Sequence, residues 1–215
     1  QPAAVSITQA TEAGTLYTVE EVRALAAVAK AAVLPVHMDG TRFANALAAT
    51  GATPAEMSWK AGVDILCLGF TKNGALAAEA IIVFDPAKDW ELQLRRKRGG
   101  HLFSKMRFVT AQVEAMMAGD LWLRLAAHAN DMATRLAKEL RDIDGIDLLH
   151  PVDANLMFAR VPDEKIEAAR AEGAMFYDMP DAPGSAPDGK RMIRLVCSFQ
   201  TRPEDVDALL TAFTL

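Results

Sequence analysis

VDILCLGFTKNG, residues 63–74, is an apolar run of strand length that ends in a turn carrying Lys72. The eight residues Val63–Phe70 read as a buried strand, and Thr71-Lys72-Asn73-Gly74 closes it with turn residues. A little further on, Glu79–Phe84 (EAIIVF) reads as a second strand, stopped by Asp85-Pro86. The gap is too short for a crossover helix, so the two strands are expected to pair antiparallel, with Lys72 on the connecting turn. A lysine directly after so apolar a strand is unusual, because its charge is seldom buried unless paired or put to use. In a low-dielectric site the charged form loses hydration, the pKa falls, and a neutral amine can form a Schiff base. The plain alternative is an exposed turn lysine.

Upstream, Thr18–Ala32 reads as a helix with Thr18 as its cap and Glu21 three residues on, a capping box. Val22, Leu25, Ala26, Val28 and Ala29 are its expected apolar face. Leu34–Met38 is extended and ends at Asp39-Gly40. Thr41–Ala49 is helical again, and Pro54–Lys60 starts another helix behind Thr53. Helix, short apolar strand and polar loop form the repeating unit of a parallel α/β sheet. An acid at the carboxyl end of such a strand lies where α/β folds hold ligands. That makes Asp39, in HMDGTR (His37–Arg42), a candidate; the alternative is that it caps the next helix and pairs with Arg42.

Downstream, Pro86–Arg141 is almost wholly helical, broken at Gly99-Gly100 and at Gly119-Asp120. Asp120 is the expected cap of a long helix, Asp120–Arg141, that joins two lobes. After Gly145 come short strands at Ile146–Leu149, Ala154–Val161, Ala174–Tyr177 and Arg191–Cys197, with helices at Pro162–Glu172 and Pro203–Phe213. This is a small α+β lobe, with a hairpin loop over Met179–Lys190. Arg194 sits mid-strand in RMIRLV and must find an anion. A bidentate carboxylate is the natural partner, and a structural salt bridge is the alternative.

Composition narrows the class. Of 215 residues, 51% are apolar and 24% charged, which is ordinary for a globular chain. The net charge of −5 draws the chain to neither nucleic acid nor anionic lipid. The run Arg95–Arg98 spreads around a helix instead of forming a stripe, and cations favour a helix end before Gly99. No apolar run approaches the roughly 18 residues of a membrane helix. Cys67 and Cys197 read as buried thiols. His37, His101, His128 and His150 lack zinc-ligand spacing, so no metal is expected. His128 is expected at the surface, and His101 alone merits a test for a site role. With the cysteines read as buried thiols, the cytoplasm is the expected compartment. The chain opens with Gln1-Pro2 and no signal-peptide pattern, so it is expected to be processed or a piece of something longer.

Taken together, an acid at one strand end, a lysine at another and a carboxylate-binding arginine in a C-terminal lobe are what a pyridoxal-phosphate enzyme needs. The chain resembles the β-eliminating lyase/threonine aldolase group, and within it the low-specificity L-threonine aldolases. The likeness rests on TQATEAGTLY (Thr8–Tyr17), HMDGTR (His37–Arg42), FTKNGALAAE (Phe70–Glu79) and RRKRGGHLFSKMR (Arg95–Arg107), in that order and spacing. It implies an α/β fold, the C-terminal part of the fold-type-I transferase architecture. Residues 1–120 would belong to the large, mixed-sheet cofactor domain, and 121–215 would form the linking helix and a small α+β domain.

The resemblance also implies roles. Lys72 would carry pyridoxal 5'-phosphate as an imine, Asp39 would pair with the pyridinium nitrogen, and Arg42 would sit against the phenolic oxygen. Arg194 would take the α-carboxylate of an amino-acid substrate. Where the family has a histidine near the substrate hydroxyl, this chain has Glu12, which could act there if desolvation raised its pKa. The implied reaction is retro-aldol cleavage of a β-hydroxy-α-amino acid to glycine and an aldehyde, in a homo-oligomer (dimer or tetramer) whose sites are built between subunits. Part of Arg95–Arg98, or Lys105 or Arg107, would reach a neighbouring subunit's cofactor phosphate. The family's phosphate loop lies upstream of Gln1, so the chain is expected to be truncated and inactive alone.

Overall fold

The computed structural model describes residues 1–180 and 189–214. Most of the loop expected over Met179–Lys190 therefore lies outside the described residues. The chain forms two compact units. One comprises Gln1–Thr11 and Tyr17–Leu125, the other Glu12–Leu16 and Ala126–Leu215.

The first unit is built on a sheet of β1 (Val5–Thr8), β2 (Val36–Gly40), β3 (Ile65–Gly69) and β4 (Glu79–Val83), in that spatial order. β1, β2 and β3 are parallel, and β4 runs antiparallel to β3. The crossovers are α1 (Val19–Ala31), then α2 (Phe43–Thr50) and α3 (Pro54–Met57). Thr18 and Thr53 each close a complete capping box, with Glu21 and Glu56. The helix expected over Pro54–Lys60 stops at Ser58, whose hydroxyl donates to the Pro54 carbonyl at 2.5 Å; a single 3₁₀ turn, Trp59–Ala61, follows.

Side chains alternate across a strand, and here the alternation gives the sheet two unlike faces. Ile7, Val36, Met38, Leu66 and Leu68 are buried on one face. Ser6, His37, Asp39, Cys67 and Ile81 stand half-buried or exposed on the other. Of the expected apolar face of α1, Val22, Ala26 and Ala29 are buried, whereas Leu25 is 37% and Val28 72% exposed. At about 100° per residue, Leu25 lies about 60° and Val28 about 120° from Val22, so only the narrower stripe meets the core.

Three helices follow: α4 (Asp89–Arg98), α5 (Arg107–Met117) and α6 (Leu121–Leu140). Gly119 and Asp120 both have left-handed backbone, with φ near 54° and 55°. Asp120 thus belongs to the kink before α6 and lacks the extended conformation of the N-cap expected of it. α6 passes from the first unit into the second.

The second unit carries the antiparallel sheet β5–β6–β8–β7, made of β5 (Asp147–Leu148), β6 (Leu156–Pro162), β7 (Tyr177–Met179) and β8 (Lys190–Val196). α7 (Asp163–Ala171) and α8 (Pro203–Thr214) complete it. Met157, Ala159, Val161, Ile193 and Leu195 share one core with Leu140, Ile166 and Phe213. The strand expected from Ala174 begins only at Tyr177, because the Ala174 amide finishes the end of α7 by donating to the Ala169 carbonyl. His128, expected at the surface, is partly buried, with Nε2 2.7 Å from the Thr201 carbonyl.

Candidate active site

Asp39 and Lys72 come from the carboxyl ends of neighbouring parallel strands, β2 and β3. Two glycines let those ends close up. A Cβ on Gly40 would lie 2.7 Å from the Cys67 carbonyl, and one on Gly69 would lie 2.9 Å from both Cα and the carbonyl oxygen of Thr41. Any side chain there would force the loop after β2 away from the loop after β3.

Asp39 is fixed locally. Its Oδ1 accepts from the Thr41 amide at 2.9 Å and from the Thr41 hydroxyl at 2.6 Å. Both bonds are to a charged acceptor, the stronger kind. Partial burial pushes this carboxyl up. The two Thr41 hydrogen bonds, with the charges of His37 and Lys72, outweigh it and hold Asp39 below the usual carboxylate range. Asp39 does not cap the next helix: α2 starts behind Arg42, with no side-chain cap. The capping alternative raised by the sequence therefore falls. Arg42 is half-buried at the same strand end.

Lys72 lies on a 3₁₀ turn, Thr71–Asn73. The next side chain, Asn73, is buried and donates through Nδ2 to the Trp122 carbonyl at 2.8 Å, so the turn is anchored from below. Lys72 itself is exposed, and this corrects the expectation of a water-stripped amine. Along the turn, residues 71 and 72 are exposed and Asn73 is buried. The Lys72 amine is nevertheless near enough for its charge to act on Asp39.

Around the pair, the open sheet face carries further polar groups. His37 Nδ1 is 2.8 Å from the Ser6 hydroxyl, and its Nε2 is 3.3 Å from Cys67 Sγ. Cys67 is half-buried, short of the full burial expected. Burial, then the charges of Asp39 and Glu79, push its thiol pKa up, so it is a poor nucleophile. Cys197, in the second unit, is buried as expected, and burial pushes its thiol up to about 11.

Arg194 and Glu12 belong to the second unit. Arg194 pairs with Phe158 on β6 and Tyr177 on β7, across the face opposite the core. Its guanidinium lies 5.3 Å from the Tyr177 ring centre, and among the described residues its buried Nε finds no hydrogen-bond partner. Three residues earlier, Arg191 meets Asp163 at 2.7 Å, Glu167 at 2.5 Å and Asp178 at 3.2 Å. The structural-salt-bridge reading suits Arg191, therefore, and leaves Arg194 with capacity for an anion. Glu12 is exposed, so the burial that its proposed role required is not met. A cleft of about 600 Å³ near Leu136, Phe176, Cys197 and Leu209 contains none of these residues.

Sequence reasoning missed Thr41, although an Asp followed two residues later by Thr is the signature of a local side-chain turn. It also missed the Asn73 anchor, for which no local signal exists. Among the described residues no helix is long and apolar enough to cross a membrane, and no three of His, Cys, Asp and Glu are grouped to hold a metal ion.

Residues 1–164 match the family described as Beta-eliminating lyase. The chain belongs to this family. As a β-eliminating lyase family member it is 44% identical over 209 residues to a low specificity L-threonine aldolase of Pseudomonas aeruginosa, covering 97% of this chain and 58% of that protein. A second protein of that description, from a Pseudomonas strain, is 42% identical over the same shares. The chain thus spans under two thirds of the length of these curated relatives. Among solved structures, a threonine aldolase of Leishmania major superposes with a TM-score of 0.89 at 28% identity, over 99% of this chain and 60% of that one. More distant pyridoxal-phosphate enzymes, at 14–18% identity, share the fold alone. The chain thus has an α/β fold of the fold-type-I class, with a mixed sheet in its first unit.

Proposed function

We propose that this chain serves a pyridoxal-phosphate-dependent aldehyde-lyase that cleaves L-threonine, L-allo-threonine or related β-hydroxy-α-amino acids to glycine and an aldehyde. The observation that carries it is the pair Asp39 and Lys72 on adjacent parallel strand ends, the acid kept ionised beside the amine. The relatives' names point the same way. The residues fit the cofactor: an amine for its aldehyde carbon and a carboxylate for its ring nitrogen, on neighbouring strand ends.

When bound, pyridoxal phosphate supplies a sink for the electron pair released as Cα–Cβ breaks. The protein's own work is placement. Lys72 would hold the cofactor's carbonyl carbon, and Asp39 would keep a proton on the ring nitrogen. Arg42 would stand at the phenolic oxygen, and Arg194 would orient the substrate through its carboxylate. Glu12 is exposed, so the group that takes the β-hydroxyl proton is to be sought elsewhere. The protein would work in the cytoplasm as a homo-oligomer, dimer or tetramer. In support, Trp90, Leu94, Leu102, Phe103 and Phe108 expose apolar surface within twenty residues.

Borohydride treatment of the full-length protein loaded with pyridoxal phosphate tests this reading. Mass spectrometry should find the reduced adduct on Lys72, and Lys72→Ala should lose it; an adduct that survives the substitution would sink the assignment. The family description keeps a second reaction in play, β-elimination. L-Threonine would then give 2-oxobutanoate and ammonia in place of glycine and acetaldehyde, and product analysis separates the two.

A further inference from the structure

We propose that Thr41 is a positioning residue that fixes the rotamer of Asp39, so that Oδ2 and not Oδ1 is the oxygen offered to the cofactor's ring nitrogen. The inference rests on the proposed function above. Both Thr41 bonds, from the amide at 2.9 Å and the hydroxyl at 2.6 Å, fall on Oδ1. The second oxygen stands outside this clamp. Thr41 is itself backed by β3, because Gly69 leaves room for its Cα and carbonyl at a distance where a Cβ would clash. Clamp, acid and lysine turn are therefore one mechanical unit, tied at the ends of β2 and β3.

The clamp acts within a definite electrostatic setting. His37 lies two residues before Asp39 on β2, Cys67 pairs with Asp39 from β3, and Lys72 follows β3. Glu79 on β4 acts on Cys67. On the other side the β1 partner of Asp39 is the neutral Thr8. Lys72 and a protonated His37 favour the carboxylate, Cys67 and Glu79 bring no positive charge, and the Thr41 hydroxyl is a neutral side-chain donor to it.

The experiment compares Thr41→Val and Thr41→Ser with the native residue. In the unliganded chain, ¹³C NMR follows the titration of the Asp39 carboxyl. In the full-length protein, equilibrium dialysis follows retention of pyridoxal phosphate. We expect Thr41→Val to move the Asp39 midpoint up and to weaken retention about tenfold, the size of one lost hydrogen bond to a charged group. Thr41→Ser should restore both. An unchanged midpoint and retention in Thr41→Val would overturn the proposal, and so would a failure of Thr41→Ser to rescue, since packing and not the hydroxyl would then be responsible. If the native full-length protein traps no cofactor on Lys72, the proposed function falls; the NMR titration still decides separately whether Thr41 controls Asp39.

Discussion

Asp39 is a carboxylate whose ionisation the folded chain favours, and that has a thermodynamic consequence. Its pKa is lowered in the folded state, so its contribution to stability is complete above the unfolded pKa and is lost as pH falls through the folded value. The stability difference between the native chain and Asp39→Asn should therefore be constant near neutrality and shrink below about pH 4; urea unfolding at several pH values measures it. The two cysteines make a second contrast. Cys67 is partly accessible and Cys197 buried with its thiol near 11, so a thiol reagent at pH 8 should label Cys67 first and Cys197 only on unfolding. Equal labelling rates in the native chain would contradict the burial described. Arg194 supplies the third residue-level expectation. In the full-length protein, Arg194→Ala should raise KM for the amino acid at least tenfold and leave pyridoxal-phosphate retention unchanged, because the lost partner is the substrate carboxylate. Steady-state kinetics and dialysis separate those effects.

At the scale of elements, the capping boxes and the two faces of the first sheet make different predictions. Thr18→Ala removes a side-chain acceptor from the Glu21 amide and should cost about 1 kcal/mol. Leu66→Ala, on the buried face of β3, should cost about 2–5 kcal/mol. Ile81→Thr, on the open face of β4 with 59% exposure, should change stability by less than about 0.5 kcal/mol. Chemical denaturation of the three variants checks the ordering. The caps were legible from short sequence windows, since Thr-x-x-Glu acts within one turn. Which apolar residues of α1 would be buried was less legible: Val28 fits the helical pattern, but the sheet meets only a narrow stripe. The strand expected from Ala174 failed for a related reason, a local helix ending having claimed its amide.

For the whole molecule, two units with separate cores share α6. The chain spans 58% of the length of its curated relatives, and the open face of its first sheet carries the candidate acid. Much of this arrangement was readable before any coordinates. Apolar periodicity of two and of 3.6 identified the elements, the short gap between Phe70 and Glu79 required the antiparallel β3–β4 pair, and HMDGTR and FTKNG placed Asp39 and Lys72 at strand ends. Those inferences depend on interactions a few residues apart, which a linear pattern records. What only the tertiary structure decided depends on distant partners. The bracing of Thr41 by Gly69, the anchoring of Asn73 on Trp122 and the placing of Arg194 between Phe158 and Tyr177 all follow from how strands and helices far apart in the chain pack together. No window of sequence contains both members of such a contact.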